Sequence, residues 1–418
     1  MKRAVVAAAL CGCGGSTGTL SIGFTGAPGA NLLAGAQSLR VVLTNPSQTY
    51  TIARTSDGFD LDFDFGATSN TGQLEVTALD AGGAVVAYGE TPPLPLDAVT
   101  AAVSIYLGAP LSIGASPAAL ATAAGSVGAA VLPYGAVIAG GADASDAPVT
   151  DLGVYNAYDH TLTAGVAMPS ALVDAAMTAT SGGQVYLFGG LDASGAETSQ
   201  LWRFDTTVSP AGEWITVDAT TTYARSGERM FQTDDTSFVV TGDPALSVTT
   251  TGIAPLSEVA TLPAQTAAIT PGDGDIVLLG VTDTGLVRLR AGVVDQPSSA
   301  SLANAAVAAL PPDAFVVVGG DLGLGALRVD AATGAVTPIA TSLSVARTSP
   351  SVAATSRYVV VASDGSCDVL AAADLSLAAT VPCADAAQLV ALPNDQIMLL
   401  PGTTASTEID LFTPDPPP

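Results

Sequence analysis

The sequence predicts an all-β chain, an N-terminal β-sandwich followed by a seven-bladed β-propeller, and three observations carry that prediction. Glycine and proline, 44 and 27 of 418 residues, interrupt the chain throughout and leave little room for helices. Short Val-, Leu- and Ile-rich runs lie between these breaks, which is the pattern of strands joined by turns. One such run, ending in small residues, recurs seven times after residue 130, and recurrence every ~40–50 residues is the mark of propeller blades.

In chain order, the first element is a targeting segment. Lys2 and Arg3 precede a short apolar stretch, Ala4 to Leu10, and then small residues. A membrane span needs about 20 apolar residues, so this layout is that of a secretory signal. Leu10-Cys11-Gly12-Cys13 resembles the bacterial lipobox. That resemblance implies cleavage after residue 12, lipidation of Cys13, a flexible tether over 13–18, and a place in the cell envelope, as an outer-membrane lipoprotein of a Gram-negative cell. The lipid would be the sole membrane attachment. A plain secretory signal with two incidental cysteines is the alternative.

Residues 19–108 carry strands without a repeat. Leu39 to Thr44, Tyr50 to Arg54, Gln73 to Leu79, Ala84 to Tyr88 and Val99 to Leu107 read as strands. Phe59, Leu61, Phe63 and Phe65 alternate with Asp60, Asp62 and Asp64, so one face is apolar and the other acidic. About seven short strands in such a length suggest an immunoglobulin-like sandwich. Three alternate aspartates can hold a hard cation such as calcium. A calcium loop, however, wants glycine after the third acid, and Phe65 stands there. A solvated acidic strand face is therefore expected.

The repeat occupies 109–418. Its copies are AVIAGG from Ala136, VYLFGG from Val185, FVVTGD from Phe238, IVLLGV from Ile276, FVVVGG from Phe315, YVVVAS from Tyr358 and IMLLPG from Ile397. A short Ala-rich strand precedes each, as in Ala129 to Leu132, Ala305 to Leu310 and Ser351 to Ala354. Small residues suit the crowded axis of a ring. A third strand ending near an aspartate follows, as in Leu201-Trp202-Arg203-Phe204-Asp205, with Trp214 beyond it. These features resemble the kelch repeat, best in the second copy and in the Gly-Gly and Asp positions of the first and fifth. The seventh copy lacks a fourth strand. A segment near Leu111 to Ile113 is expected to supply it and close the ring, leaving no free edge.

Cys367 and Cys383 lie on the two arms of a hairpin turning near Asp374 and Leu375. Directly opposed residues of an antiparallel pair sit ~4.5–5.5 Å apart, within reach of a disulfide. Export would supply an oxidising compartment.

The formal net charge is −26, and no lysine follows Lys2. Nucleic acid, which is bound through basic surface, is excluded as a partner. One histidine, His160, and no late lysine remove most catalytic devices. His160 reads as a solvated loop residue. No cofactor and no metal are expected: two thiols and a remote histidine make no zinc site, and the kelch propellers that are copper oxidases need two histidines, a tyrosine and a cysteine-linked tyrosine. Tyr223, Arg225, Arg229 and Arg347 enter inner strands in two blades, and on one rim they can bind an acidic glycan or peptide. Ion pairs within their own sheets are the plainer alternative. The expectation is a monomeric, lipid-anchored protein- or glycan-binding module with no catalytic residues. Two alternatives are a carboxylate-dependent polysaccharide hydrolase or lyase and a structural envelope protein.

Overall fold

The computed structural model describes residues 6–9, 19–45, 47–56, 58–59, 71–95, 101–209, 211–218, 222–234, 236–249 and 252–417. Cys13 and the Asp60, Asp62, Asp64 stripe lie outside them. Among the described residues the helical content is two 3-10 turns, Leu32–Ala34 and Gly320–Leu322. Everything else regular is strand.

The described residues from Val6 to Leu107 form a sandwich. One sheet runs Gly58–Phe59, Ser47–Thr55, Ser38–Thr44, Leu74–Leu79, Val85–Glu90 in spatial order. The facing sheet contains Val6–Ala9, Thr19–Thr25 and Ala101–Tyr106, the last two paired in parallel. Ser38–Thr44 shows the expected alternation: Leu39, Val41 and Leu43 are buried against Ile22, Val103 and Ile105 of the other sheet.

Beyond residue 111 lie seven four-stranded antiparallel sheets. Each repeated run is the second strand of its sheet, for example Gly135–Ala139, Gln184–Phe188 and Ala314–Gly319. These strands are apolar without alternation because both faces of each sheet are covered by a neighbouring sheet. A hydrophobic cluster fills every junction around the circle, including that between the third sheet (Val239) and the fourth (Leu278) and that between the seventh (Met398, Leu400) and the first (Ala136, Ile138). The chain is thus a β-propeller. Its last sheet contains Ala386–Ala391, Ile397–Pro401 and Asp410–Thr413, and its outer strand is Ser112–Ala115, antiparallel to Asp410–Thr413. The segment from before the ring does complete it.

The double glycine has a steric cause. The second glycine of three pairs donates its N–H to a carbonyl in the next sheet's entry loop: Gly141 to Leu172 at 3.0 Å, Gly190 to Arg225 at 2.8 Å, Gly320 to Arg347 at 2.7 Å. A Cβ on the first glycine would lie 2.5, 2.4 and 2.9 Å from those same oxygens, at Gly140, Gly189 and Gly319. Only glycine lets the two backbones approach this closely. The aspartates that close the third strands are likewise structural. Asp159, Asp205, Asp330 and Asp374 accept from the backbone N–H and hydroxyl of Thr161, Thr207, Thr333 and Ser376, forming side-chain turns. Much of the acidity is therefore turn-making.

The disulfide joins Cys367 and Cys383, with Cα atoms 5.8 Å apart. Its register differs from the expectation. Cys367 faces Val381 and Cys383 lies just past the strand end: the turn pairs Leu370 with Leu377, and the bulge between Val369 and Leu370 makes up only one residue of the offset. The bridge is diagonal rather than directly across.

His160 is the larger correction. It is 2% exposed, not a solvated loop residue. The turn that carries it is covered by the sandwich: Ser104 N–H donates to the Tyr158 carbonyl at 2.7 Å, and the Tyr158 hydroxyl donates to the Pro93 carbonyl at 2.6 Å. Tyr106 N–H donates to His160 Nε2 at 3.2 Å, and Tyr155 Oη lies 2.6 Å from Nδ1. Nε2 must then be bare, which assigns the proton to Nδ1. Burial depresses the His160 pKa to about 3. The same junction holds Arg357, ion-paired with Glu90 of the sandwich and Asp395 of the propeller and stacked over the Tyr88 ring at 5.4 Å. Burial raises the Glu90 pKa to about 8, against the pull of Arg357.

Candidate functional site

At the axis, where the inner strands begin, a cavity of about 300 Å³ is bounded by three different sheets' entry loops and by Gln265 and Gln388. Its charged lining is Asp174, Glu228 and Arg229. No histidine, lysine or cysteine lines it.

Small residues recur at one position of several inner strands. Gly128, Ala176 and Ala306 pair with the residue just before a Gly-Gly pair, namely Ala139, Phe188 and Val318. Arg229 holds the equivalent place in the third sheet: its N–H donates to Thr241 Oγ1 at 2.8 Å and its carbonyl accepts from Thr241 N–H at 2.9 Å, one residue before Gly242. Where the neighbours have hydrogen or methyl, this sheet has a guanidinium. The side chain is open to the solvent of the cavity. Among the described residues its guanidinium makes no hydrogen bond or ion pair.

Asp174 is held by backbone geometry. Its φ is 55°, and Ser126, Asn304 and Ser349, at matching entries to other sheets, have φ of 51°, 60° and 48°. Polar residues tolerate this left-handed conformation better than apolar ones. Asp174 O also accepts from Gly227 N–H at 2.9 Å, as Asn304 O accepts from Ser349 N–H at 2.9 Å. Desolvation raises the Asp174 pKa. The Glu228 carboxylate accepts from the Thr241 hydroxyl, which holds it beside Gly242 of the same sheet.

The four rim residues expected together do not stay together. Arg225 and Arg347 are 9% and 1% exposed. They play one structural role twice. Arg225 Nη1 donates to the carbonyls of Thr241 and Pro244 at 2.6 and 3.0 Å, and Arg347 Nη1 to those of Ser363 and Ser366 at 3.0 and 2.7 Å. Each clamps the turn between the second and third strands of its own sheet. Arg347 also pairs with the fully buried Asp368, Nε to Oδ2, at 3.1 Å. Tyr223 packs on the cluster between the second and third sheets. Arg229 alone lines the cavity, and Asp174, which sequence reasoning passed over, lines it too. The available signal was the polar residue repeated two positions before the inner strands.

No family model matches the chain, and no curated protein does. Among solved structures it is similar to a fungal alcohol oxidase of the AA5 family in complex with copper, with a TM-score of 0.53 and 10% identity over 72% of this chain and 75% of that one. That neighbour is an enzyme, and it overturns the expectation of a non-catalytic protein- or glycan-binding module. At such low identity the likeness carries the fold, and the chemistry has to be read from this chain's own residues. They do not fit copper. The single histidine of the chain is sealed under the sandwich with both ring nitrogens engaged, and Cys367 and Cys383 are bonded to each other. Among the described residues no group of three or more His, Cys, Asp or Glu could hold a metal ion.

Proposed function

We propose that the protein is an enzyme whose reaction takes place in the axial cavity, by carboxylate acid–base chemistry in a hydrolysis or elimination. The observation that carries this is that Asp174, Glu228 and Arg229 all line one open cavity at the axis of the ring. Asp174 is assigned as the proton donor or acceptor because it lines the cavity, and desolvation raises its pKa. Glu228, fixed by Thr241, is the second carboxylate of the pair. An enzymatic structural neighbour supports the class of activity, and the residues support the type. We read the enzyme as exported and anchored through Cys13, with kelch-type blades; the disulfide supports an oxidising compartment.

Asp174→Asn, Glu228→Gln and the double variant test this against neutral glycosides and uronate-containing polysaccharides, reading new reducing ends for hydrolysis and ultraviolet absorbance for elimination. Turnover in the unaltered protein and a fall of roughly 100-fold or more in the variants is expected, the usual weight of a general acid or base. Equal turnover in the double variant, or none across the panel in the unaltered protein, refutes it.

A further inference from the structure

Arginine is scarce in this chain, and most of its described arginines are hydrogen-bonded or ion-paired, while Arg40 and Arg203 lie in the field of Glu75 and Asp205. Arg288 pairs with Asp295, Arg290 with Asp273, Arg347 with Asp368 and Arg357 with Glu90. Arg225 and Arg328 donate to backbone carbonyls. Arg229 is the exception: no acid approaches it and no carbonyl accepts from it, in a protein of net charge −26. A solvent-open guanidinium with no existing ion pair can take an anion without breaking a contact the fold depends on. It stands at the strand position that Gly128, Ala176 and Ala306 hold in other sheets.

We propose that Arg229 is a carboxylate-binding subsite of the axial cavity, and that the molecule it takes is a small organic monocarboxylate such as a uronic acid. The planar fork of guanidinium matches a carboxylate with two parallel hydrogen bonds. Asp174 and Glu228 share the cavity, so a dianion such as phosphate meets about twice the repulsion that a monoanion does. The cavity, about 300 Å³, suits a small molecule (the common range is ~300–1,000 Å³). As a statement about substrate this rests on the cavity being the reaction site; as a statement about binding it stands alone.

The experiment is calorimetric titration of the purified protein with glucuronate, with glucose and inorganic phosphate in parallel, on the unaltered chain and on Arg229→Gln, Arg229→Lys and the Asp174→Asn/Glu228→Gln double variant. Saturable glucuronate binding is expected, weaker by ~10- to 100-fold in Arg229→Gln. Arg229→Lys should fall between, since it keeps the charge and loses the fork. The carboxylate double variant should bind glucuronate at least as well as the unaltered protein. Glucose should bind no better than it does to Arg229→Gln. Unchanged affinity in Arg229→Gln, no saturable binding by the unaltered protein, or tighter binding of phosphate than of glucuronate overturns the proposal. Arg229 is a solvent-open side chain, so its variants are expected to fold, which their circular dichroism and melting temperature verify. Binding that depends on Arg229 without turnover that depends on Asp174 and Glu228 would sink the catalytic reading and leave this one standing. The converse result would do the opposite.

Discussion

Acidification should loosen the junction between sandwich and propeller through one residue, His160. In the folded protein its pKa is about 3, against an ordinary value of 6.5. Desolvation is the cause, and the geometry adds a second obstacle: a proton on Nε2 would face the Tyr106 N–H that now donates to it. The unfolded chain therefore binds a proton that the folded chain refuses. With a depressed folded-state value, the stabilisation is complete above about pH 6.5 and is lost as pH falls toward about 3, at ~1.36 kcal/mol per unit. Between about pH 7.5 and 5 the loss comes to ~2 kcal/mol. Glu90 at the same junction works in the other direction, since its pKa is raised to about 8 and its share of stability fades as pH rises. The measurement should cancel it. Urea unfolding of the unaltered protein and of His160→Asn, across this pH range, gives a difference in which Glu90 is common to both. Asparagine tolerates the left-handed φ of 55° at this position and does not titrate. The stability advantage of histidine over asparagine should shrink by ~2 kcal/mol between about pH 7.5 and 5. A difference independent of pH would refute the buried, neutral imidazole.

Four further outcomes are expected. Replacing both Cys367 and Cys383 by serine releases a loop of 16-residue separation and should lower unfolding free energy by ~3 kcal/mol, read by urea denaturation. Arg347→Ala strands the buried Asp368 carboxylate and should destabilise by ~3–5 kcal/mol, whereas Arg229→Ala should change stability by less than ~0.5 kcal/mol; equal effects would mean the two arginines had been assigned wrongly. Gly189→Ala puts a methyl 2.4 Å from the Arg225 carbonyl at φ 71° and should cost ~2–4 kcal/mol by thermal unfolding. Glucuronate should bind severalfold more tightly at about 0.15 M salt than at about 0.01 M, because the Debye length shrinks from ~30 to ~8 Å and screens the repulsion of the acidic surface; weaker binding at the higher salt would show that the net charge does not govern approach.

Much of the architecture could be read from the residues because propeller strands are local and repetitive. Each second strand is a short apolar run, and its Gly-Gly ending has one steric meaning wherever it occurs. The closure by Ser112–Ala115 was legible for a topological reason: the last copy lacked a strand. What could not be read depended on contacts distant in sequence. His160 looks like any turn residue until residues 104–106 are laid over it. Arg225 and Arg347 were recognised as equivalent, and they are, but their shared task is to hold carbonyls 16 and 19 residues ahead, which no local pattern reveals. Arg229, four residues from Arg225 in the same entry loop, lines the cavity while Arg225 is buried against its own sheet's turn. The bulge in the disulfide hairpin was likewise invisible, since a single extra residue leaves the hydrophobic pattern almost intact.

The seam between Ser112–Ala115 and Asp410–Thr413 has a consequence for biogenesis. During synthesis the earlier sheets can form as they emerge, but that join waits for residues 410–413 to leave the ribosome. Until then the nascent arc shows a bare, apolar strand border at each end, the kind of surface on which chains stick to one another. Ring assembly is therefore gated by this join, and loss of those few residues would leave the open arc in an adhesive state.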